Sequence, residues 1–247
     1  EQKRIRQLSD LQSGATQVQI LSWESMSLRT MPSRVLKDCV FTLEIGGSYT
    51  LDELSRKLTA CGYSRCSMVE GPGQLSIRGG ILDIFSPACD RPVRAEFFGD
   101  ELDTMGYFDP ITQRRTENAD SIAVLPVGET QLGLHPQGIP GLCRDIHALL
   151  ARQKRRKNPN QELIRTLERD LEKLENEAGH PASDRYMALV YPDFTTAFDY
   201  IPDNALIALC DQGSIHRAAR SRTEEVGMQL DSLLQAGLAA HNELAEG

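Results

Sequence analysis

The sequence lacks several features that would assign a function directly. It has no run of about 18 apolar residues, which excludes a membrane-spanning helix. It has no G-x-x-x-x-G-K-[ST] motif, so the usual loop that holds nucleotide phosphates is missing. The G-x-S-x-G and H-E-x-x-H signatures of serine hydrolases and zinc peptidases are also absent. We therefore expect no enzymatic activity from this chain.

Paired cysteines are missing as well. The six cysteines form no C-x-x-C motif, and the nearest two, Cys61 and Cys66, have no second pair or histidine at zinc-ligand spacing. Several lie in apolar stretches, such as Cys210 after Leu206–Leu209. This usage predicts reduced, buried thiols in a cytoplasmic protein without a metal site or a disulfide framework.

The composition is that of an ordinary globular protein. The 247 residues are 40% hydrophobic and 25% charged, which allows one large domain or two modest ones. The chain has 27 basic and 35 acidic residues, so its net charge is −8. This charge argues against a protein that binds nucleic acid over its whole surface, but it is compatible with a local basic patch. The chain begins at Glu1 without Met or an apolar signal region, so we expect a fragment of a longer protein.

The first stretch, up to residue 47, alternates helices with strands. The pattern predicts a helix over 4–11, a strand over 18–21, a short helix capped by Ser22 and a strand over 39–43. Such alternation is typical of a parallel α/β sheet.

The middle stretch predicts a small α+β module. Thr50 with Glu53 forms a capping-box pattern for a helix that ends at Gly62. The hydrophobic period then changes from 3.6 to 2, with hairpin turns expected at Gly79-Gly80 and at 99–101. The predicted strands are 75–78, 81–85, 93–98, 102–108 and 121–125.

The third stretch, from about residue 128, is predicted to be mainly helical. A helix is expected to open at Asn158-Pro159, and another to run from Ser214 to the end of the chain. Short apolar runs at 189–191 and 205–209 are candidates for strands that rejoin the α/β sheet. The expected apolar stripes are Leu163, Leu167, Leu171 and Leu174 in the first helix and Leu230, Leu233, Leu234 and Leu238 in the last.

Strand 93–98 has an unusual outer face. Alternation turns Arg94, Glu96 and Phe98 outward, and it turns Ser76 and Arg78 outward on the neighbouring hairpin. Arginine beside an exposed aromatic ring is the composition of a protein-interface anchor. The alternative is that Phe98 covers a second small core and that Arg94 pairs with carboxylates on the Glu96 side.

A basic run at 152–157 offers a second candidate site. Its five positive charges could contact nucleic-acid phosphates. No aromatic residue is interleaved, however, and an acidic helix follows over 168–177. A solvated helix end that is stabilised by the helix dipole is the preferred interpretation.

Three motifs are long enough to be specific, namely LSIRGGILDIF at 75–85, PVRAEFFGDE at 92–101, and FDP at 108–110 followed by TQR at 112–114. They resemble the bacterial transcription-repair coupling factors and the related module of UvrB, the excision-repair helicase subunit. The string FDYIPD at 198–203 fits the same families, and the resemblance covers most of the chain. Where UvrB would carry an acidic Asp-Glu pair for ATP hydrolysis, residues 210–213 read Cys-Asp-Gln-Gly, which favours the coupling factors.

The resemblance implies an α/β fold with two domains. Residues 1–47 and 128–247 would form a UvrB-like, degenerate RecA-type (P-loop-like) parallel-sheet domain that is incomplete at its amino-terminal end. Residues 48–127 would form an inserted small α+β domain, an antiparallel sheet with a helix, that interacts with UvrA.

The resemblance also implies a function. The family's amino-terminal region mimics UvrB and recruits UvrA to RNA polymerase that is stalled at a lesion, in transcription-coupled nucleotide excision repair. By position, the UvrA-contacting residues of the family fall on Arg78, Arg94 and Phe98. ATP, Mg²⁺, DNA and polymerase would be bound by parts of the longer protein outside this chain, and no cofactor or membrane partner is expected here. An ATP-dependent DNA helicase subunit of UvrB type is the alternative, and a weak DNA-binding platform at 152–157 is a third possibility.

Overall fold

The computed structural model describes residues 2–15, 18–176, 183–193 and 195–235. Within these ranges, no helix is both long and apolar enough to cross a bilayer. The α-helices are α1 (Gln2–Ser13), α2 (Trp23–Ser27), α3 (Ser33–Cys39), α4 (Leu51–Ala60), α5 (Gly138–Lys154), α6 (Gln161–Glu175), α7 (Met187–Val190) and α8 (Gln212–Gln235). The strands are β1 (Phe41–Glu44), β2 (Ser64–Arg65), β3 (Gln74–Arg78), β4 (Ile81–Ile84), β5 (Val93–Phe98), β6 (Glu101–Phe108), β7 (Arg115–Asn118) and β8 (Ser121–Val124). Short 3-10 helices cover Leu132–Leu134, Ser183–Tyr186 and Ala197–Tyr200.

The chain divides into two compact units. The first takes in residues 1–16 and 32–131, and the second takes in residues 17–31 and 132–247. All strands of the described residues lie in the first unit, and the second is helical. The fold class is therefore α/β, with the sheet structure concentrated in the middle of the sequence.

A six-stranded mixed sheet dominates the first unit. Its strands follow one another in chain order from β2 to β7, and every neighbouring pair is antiparallel except β2 with β3. The two predicted hairpin turns are confirmed at Gly79-Gly80 and at Gly99-Asp100. Gly79 and Gly99 have φ values of +61° and +65°, in the left-handed region that glycine adopts without steric cost.

Helix α4 packs on this sheet. The Thr50 hydroxyl accepts a hydrogen bond from the Glu53 backbone N–H, as the capping pattern predicts, and the chain turns away at Gly62 with φ +88°. Leu54 and Leu58 of the helix are buried in the main core. The predicted helix-on-sheet module is confirmed. The six-stranded sheet, the strands β1 and β8 and their connections contribute Leu43, Tyr63, Leu75, Leu82, Ile84, Val93, Ala95, Leu102, Met105, Ile122 and Val124 to that core.

Strand β1 behaves differently from the prediction. It forms a separate two-stranded antiparallel sheet with β8, in which Phe41 lies opposite Val124, instead of joining a parallel sheet. The strand predicted at 18–21 is not formed, since residues 18–22 carry no assigned strand and Val18 and Ile20 are exposed. Apolar sequence alone does not make a strand, because its backbone groups also need a partner strand.

The second unit is helical, as predicted, but its helices do not begin at the predicted residues. Helix α6 begins at Gln161, three residues after Asn158, because the Asn160 side chain caps it by accepting from the Leu163 N–H. Residues 187–190 form helix α7 rather than a strand, and residues 205–209 have no assigned strand. In the predicted stripe of α6, Leu167, Leu171 and Leu174 are buried and Leu163 is half-buried. The stripe predicted at Leu230, Leu233, Leu234 and Leu238 lies outside the described side chains.

Candidate protein-docking site

The carboxylate of Asp83 lies at the centre of the candidate site and is 1% exposed. Its Oδ1 accepts a hydrogen bond from Arg94 Nε at 2.7 Å, and its Oδ2 accepts one from Arg94 Nη2 at 2.8 Å. Arg78 Nη2 donates to the same Oδ2, also at 2.8 Å. One buried carboxylate therefore binds two guanidinium groups, and we call these three side chains the arginine cluster.

Strand pairing brings the cluster together. The two-residue turn at Gly79-Gly80 pairs Arg78 with Ile81, which places Asp83 opposite Ser76. On the other side of β4, Arg94 lies directly opposite Asp83. Because side chains alternate between the two faces of a sheet, Arg78, Asp83 and Arg94 share one face.

A second small core explains why Asp83 is buried. Val69, Phe85 and Phe108 form this core separately from the main one. The Ser76 hydroxyl donates to the carbonyl oxygen of Ser67 at 3.2 Å, so the 66–69 segment covers part of the face. Ser76 is buried as a result, and the prediction that it faces outward is wrong. Alternation gives the face of a residue, but it does not show which loops cover that face.

The two arginines are held rigidly while they remain partly accessible. The side chain of Arg94 is 21% exposed, and its Cζ lies 4.8 Å from the centroid of the Phe108 ring. Hydrogen bonding to the Asp83 carboxylate raises the pKa of the Arg94 guanidinium above its already high ordinary value, so the group stays charged. The side chain of Arg78, at the hairpin tip, is 52% exposed.

Phe98 stands apart from both cores. It is 85% exposed at the end of β5, whereas its neighbour Phe97 packs against the main core. The Phe97 N–H donates to the Gly80 carbonyl oxygen at 2.8 Å, which places the Gly79-Gly80 turn beside the end of β5. Two parts of the alternative interpretation are thus correct, since Arg94 pairs with a carboxylate and a second small core exists. The third part is wrong, because Phe98 does not cover that core.

The structure brings the three predicted site residues to one region of the sheet. Arg78 pairs with Ile81 and Ile81 with Glu96, so Arg78 and Glu96 are two strands apart, about 10 Å. Phe98 follows Glu96 by two residues on the same strand. This geometry matches a surface with two cations beside an apolar ring, and the role of these residues in binding stays a prediction.

Comparison with known proteins shows what this region is similar to. Residues 41–129 match the model of the UvrB interaction domain. The chain is 27% identical to the transcription-repair-coupling factor of Bacillus subtilis (strain 168), over 97% of this chain and 20% of that protein. The factor of Myxococcus xanthus is 34% identical over 46% of this chain and 9% of that protein, and the factor of Staphylococcus haemolyticus is 27% identical over 95% and 20%.

The chain is related to the transcription-repair-coupling factors. The resemblance inferred from the three motifs is thereby confirmed. The chain spans about one fifth of the length of the Bacillus subtilis factor. The UvrB interaction domain match begins at β1, ends after β8 and contains the whole arginine cluster together with Phe98.

Sequence reasoning missed Asp83, the residue whose carboxylate joins the two arginines. The two-residue turn fixes the register of β3 with β4, and this register alone places Asp83 opposite Ser76. The pairing with Arg94 depends on the register of β4 with β5, and residues 85–92 between these strands give no turn signal that would fix it. An acidic residue inside an otherwise apolar strand was the available signal.

The basic run at 152–157 lies at the carboxyl-terminal end of α5, which ends at Lys154. Lys154 Nζ forms an ion pair with Glu168 at 2.7 Å. Positive charge at this end of a helix interacts favourably with the helix dipole, as the preferred interpretation expects. Binding of nucleic acid by this run stays a prediction.

The cysteines are more varied than the sequence suggests. Cys61 and Cys143 are buried, and Cys210 is exposed although it follows an apolar run. Cys210 follows the segment 205–209, which forms no strand and leaves Leu206 and Leu209 exposed. In the part of the chain that the structure describes, His, Cys, Asp and Glu side chains form no group of three with metal-binding geometry.

Proposed function

We propose that this chain is a non-catalytic docking module that binds the damage-recognition subunit UvrA through Arg78, Arg94 and Phe98. One observation carries the proposal, namely that a buried carboxylate, Asp83, holds two partly exposed guanidinium groups beside an 85% exposed phenylalanine. Preformed arginines and an exposed aromatic ring are the usual anchors of protein interfaces. The match of residues 41–129 to the UvrB interaction domain supports the same partner.

The chemistry of the surface indicates what the partner contributes. Two guanidinium groups against one carboxylate leave the arginine cluster with one net positive charge, and Arg94 Nη1 has no partner among the described residues. Carboxylates of UvrA would accept charge-assisted hydrogen bonds from the arginines, and Phe98 would fill an apolar notch. We propose that this docking recruits UvrA to RNA polymerase that is stalled at a lesion. The polymerase itself would be bound by regions of the longer protein outside this chain.

A binding titration with purified UvrA tests the proposal. We expect the triple variant Arg78→Ala, Arg94→Ala, Phe98→Ala to lose binding, with Arg94→Ala or Phe98→Ala alone costing about 2–4 kcal/mol. A matched control removes two exposed arginines and one exposed apolar residue away from the cluster, as Arg56→Ala, Arg65→Ala and Ile45→Ala. Undiminished binding by the docking-site triple variant would sink the site assignment.

We also propose that this chain neither binds nor hydrolyses ATP, and that ATP and Mg²⁺ belong to a motor elsewhere in the longer protein. By the resemblance, Asp211 falls where UvrB would carry its acidic pair. Its Oδ2 accepts a hydrogen bond from the Ser214 hydroxyl at 2.6 Å, and its Oδ1 accepts one from the Ser214 N–H at 3.1 Å. Both oxygens of this carboxylate are therefore used in hydrogen bonds that cap the start of α8, which supports a structural role for Asp211. The match to the UvrB interaction domain is also compatible with the alternative, a UvrB-type helicase subunit, which predicts measurable ATP hydrolysis by this chain.

For the fold we propose that residues 48–127 are the docking domain and that residues 1–47 and 128–247 form a partial RecA-like domain. The exposed apolar segments 18–21 and 205–209 support this, because their composition is that of inner strands. A structure of a longer version of the protein tests the proposal. Both segments should then form strands of a parallel sheet, and the proposal fails if neither segment forms a strand there.

A further inference from the structure

The loop between β6 and β7 presents an isoleucine to solvent. Ile111 is 90% exposed. The loop is nevertheless tied down, because Asp109 Oδ1 accepts hydrogen bonds from the backbone N–H groups of Ile111 and Thr112 at 3.0 and 2.7 Å and from the Thr112 hydroxyl at 3.0 Å. These bonds lower the pKa of the Asp109 carboxyl, so the group stays ionised and keeps its acceptor role near neutral pH. An apolar side chain is thus displayed on an ordered loop.

Gln113 connects the same loop to the arginine cluster. Its backbone has φ +59°, a left-handed conformation that is uncommon outside glycine. In this conformation its Nε2 donates to the carbonyl oxygen of Pro110 at 2.7 Å, and its Oε1 lies 3.4 Å from Arg94 Nη2 and accepts from it. The loop therefore adjoins the cluster at Arg94.

Ile111 and Phe98 flank the cluster on opposite sides. Arg94 lies near the start of β5 and Phe98 at its end, and the four residue steps from one to the other correspond to about 13 Å. The loop that carries Ile111 follows β6 on the Arg94 side, where Phe108 N–H donates to the Pro92 carbonyl oxygen at 3.0 Å. Along this face the surface runs from Ile111 past the arginine cluster and the ion pair of Glu96 with Arg115, at 3.6 Å, to Phe98.

We propose that Ile111 is a second apolar anchor of the docking surface, so that the partner offers carboxylates at its centre and apolar contacts at both ends. The inference rests on the proposed function, since it assigns a further contact to the same UvrA-binding face. Charge complementarity favours an acidic protein surface as the occupant, because the centre of the face carries net positive charge. A single exposed apolar residue is ordinary on a protein surface. Ile111, however, lies on an ordered loop that is hydrogen-bonded to Arg94 through Gln113, so a partner would lose little conformational entropy by ordering it.

Titration of the full chain with purified UvrA tests this assignment. Ile111→Ala should raise the Kd by about fivefold to tenfold, and Ile111→Leu should stay within about twofold of the unchanged chain because it keeps the apolar volume. The unfolding midpoint should not move in either variant, since the side chain is 90% exposed. Ile20→Ala is the matched control, an equally exposed isoleucine outside the UvrB interaction domain, and should leave the Kd unchanged.

The outcomes separate this inference from the function on which it rests. If Arg94→Ala and Phe98→Ala weaken binding while Ile111→Ala does not, the second anchor is overturned and the docking function stands. If the unchanged chain does not bind UvrA, both fail. If Ile111→Ala leaves the Kd unchanged and instead alters self-association in sedimentation velocity, Ile111 contacts a second copy of the chain and the assignment is overturned.

Discussion

Asp83 and Arg94 face each other across β4 and β5, and the guanidinium presents its Nε and Nη2 edge to the two carboxylate oxygens at 2.7 and 2.8 Å. Paired hydrogen bonds of this kind fix the plane of a guanidinium as well as its position. Arg78 binds the same carboxylate through one nitrogen only. The cluster therefore holds Arg94 more firmly than Arg78, and Arg94 is the better prepared of the two for an external carboxylate.

Replacing Asp83 by Asn tests the importance of this arrangement. The amide keeps the size of the side chain but removes the charge that both arginines contact. We expect the free energy of unfolding to fall by about 1–3 kcal/mol in guanidinium chloride titrations. UvrA binding should weaken at least tenfold, because the guanidinium groups are no longer fixed. The control is Asp103→Asn, an exposed carboxylate on the same sheet, which should change neither quantity. Full UvrA affinity in a folded Asp83→Asn variant would show that the arginines need no positioning.

The adjacent residues Phe97 and Phe98 give a matched pair of substitutions. Phe97→Ala should lower the free energy of unfolding by about 2–4 kcal/mol, because the ring packs against the main core. Phe98→Ala should leave stability within about 0.5 kcal/mol, since the ring is exposed, while it weakens UvrA binding. Thermal denaturation and a UvrA titration of both variants measure the two effects. A large loss of stability in Phe98→Ala would indicate that the ring has a structural role.

The local features of the fold were predictable because their causes are local. The Gly79-Gly80 turn and the Thr50 cap depend on a few neighbouring residues, and both occur where the sequence places them. The outward orientation of Arg78 and Phe98 followed from alternation along their strands.

The remaining features depend on contacts between distant parts of the chain. The burial of Ser76 requires the 66–69 segment to cover it, and the pairing of β1 with β8 joins segments about 80 residues apart. Segment 18–21 has the composition of a strand but no partner strand in the described structure. Residue pattern alone does not contain this information. For the same reason it does not predict the ion pair of Asp83 with Arg94, which depends on the register of β4 with β5.

Tyr63 gives the stability of the first unit a dependence on alkaline pH. Its buried hydroxyl donates to the Leu125 carbonyl oxygen at 2.7 Å, and burial raises the pKa of Tyr63 above its ordinary value. Above pH of about 10 the unfolded tyrosine loses its proton while the folded one keeps it, so stability falls as the pH rises further. Tyr63→Phe should lose about 1–2 kcal/mol at neutral pH and show a flatter decline above pH 10. An identical alkaline decline in urea titrations of the two proteins would contradict this explanation.

The basic run at 152–157 predicts only weak, salt-sensitive contact with DNA. The chain carries a net charge of −8, and Lys154 is already paired with Glu168. Fluorescence anisotropy with a short duplex should detect little binding at about 0.15 M salt, with any binding at lower salt falling steeply as salt is added. Arg155→Ala with Lys157→Ala should reduce that slope. Tight binding at 0.15 M salt would instead support a DNA-binding platform.

The pairing of β1 with β8 has a consequence for whether residues 41–124 can be moved as one piece into another protein. Phe41, where the first strand begins, lies opposite Val124, where the last strand ends, so the two backbones are about 5 Å apart at this point. A segment whose two ends meet in this way can be spliced into a surface loop of an unrelated carrier without stretching the carrier. Residues 41–124, which include Arg78, Arg94 and Phe98, should therefore keep their structure when they are inserted into another protein at the Phe41–Val124 strand pair.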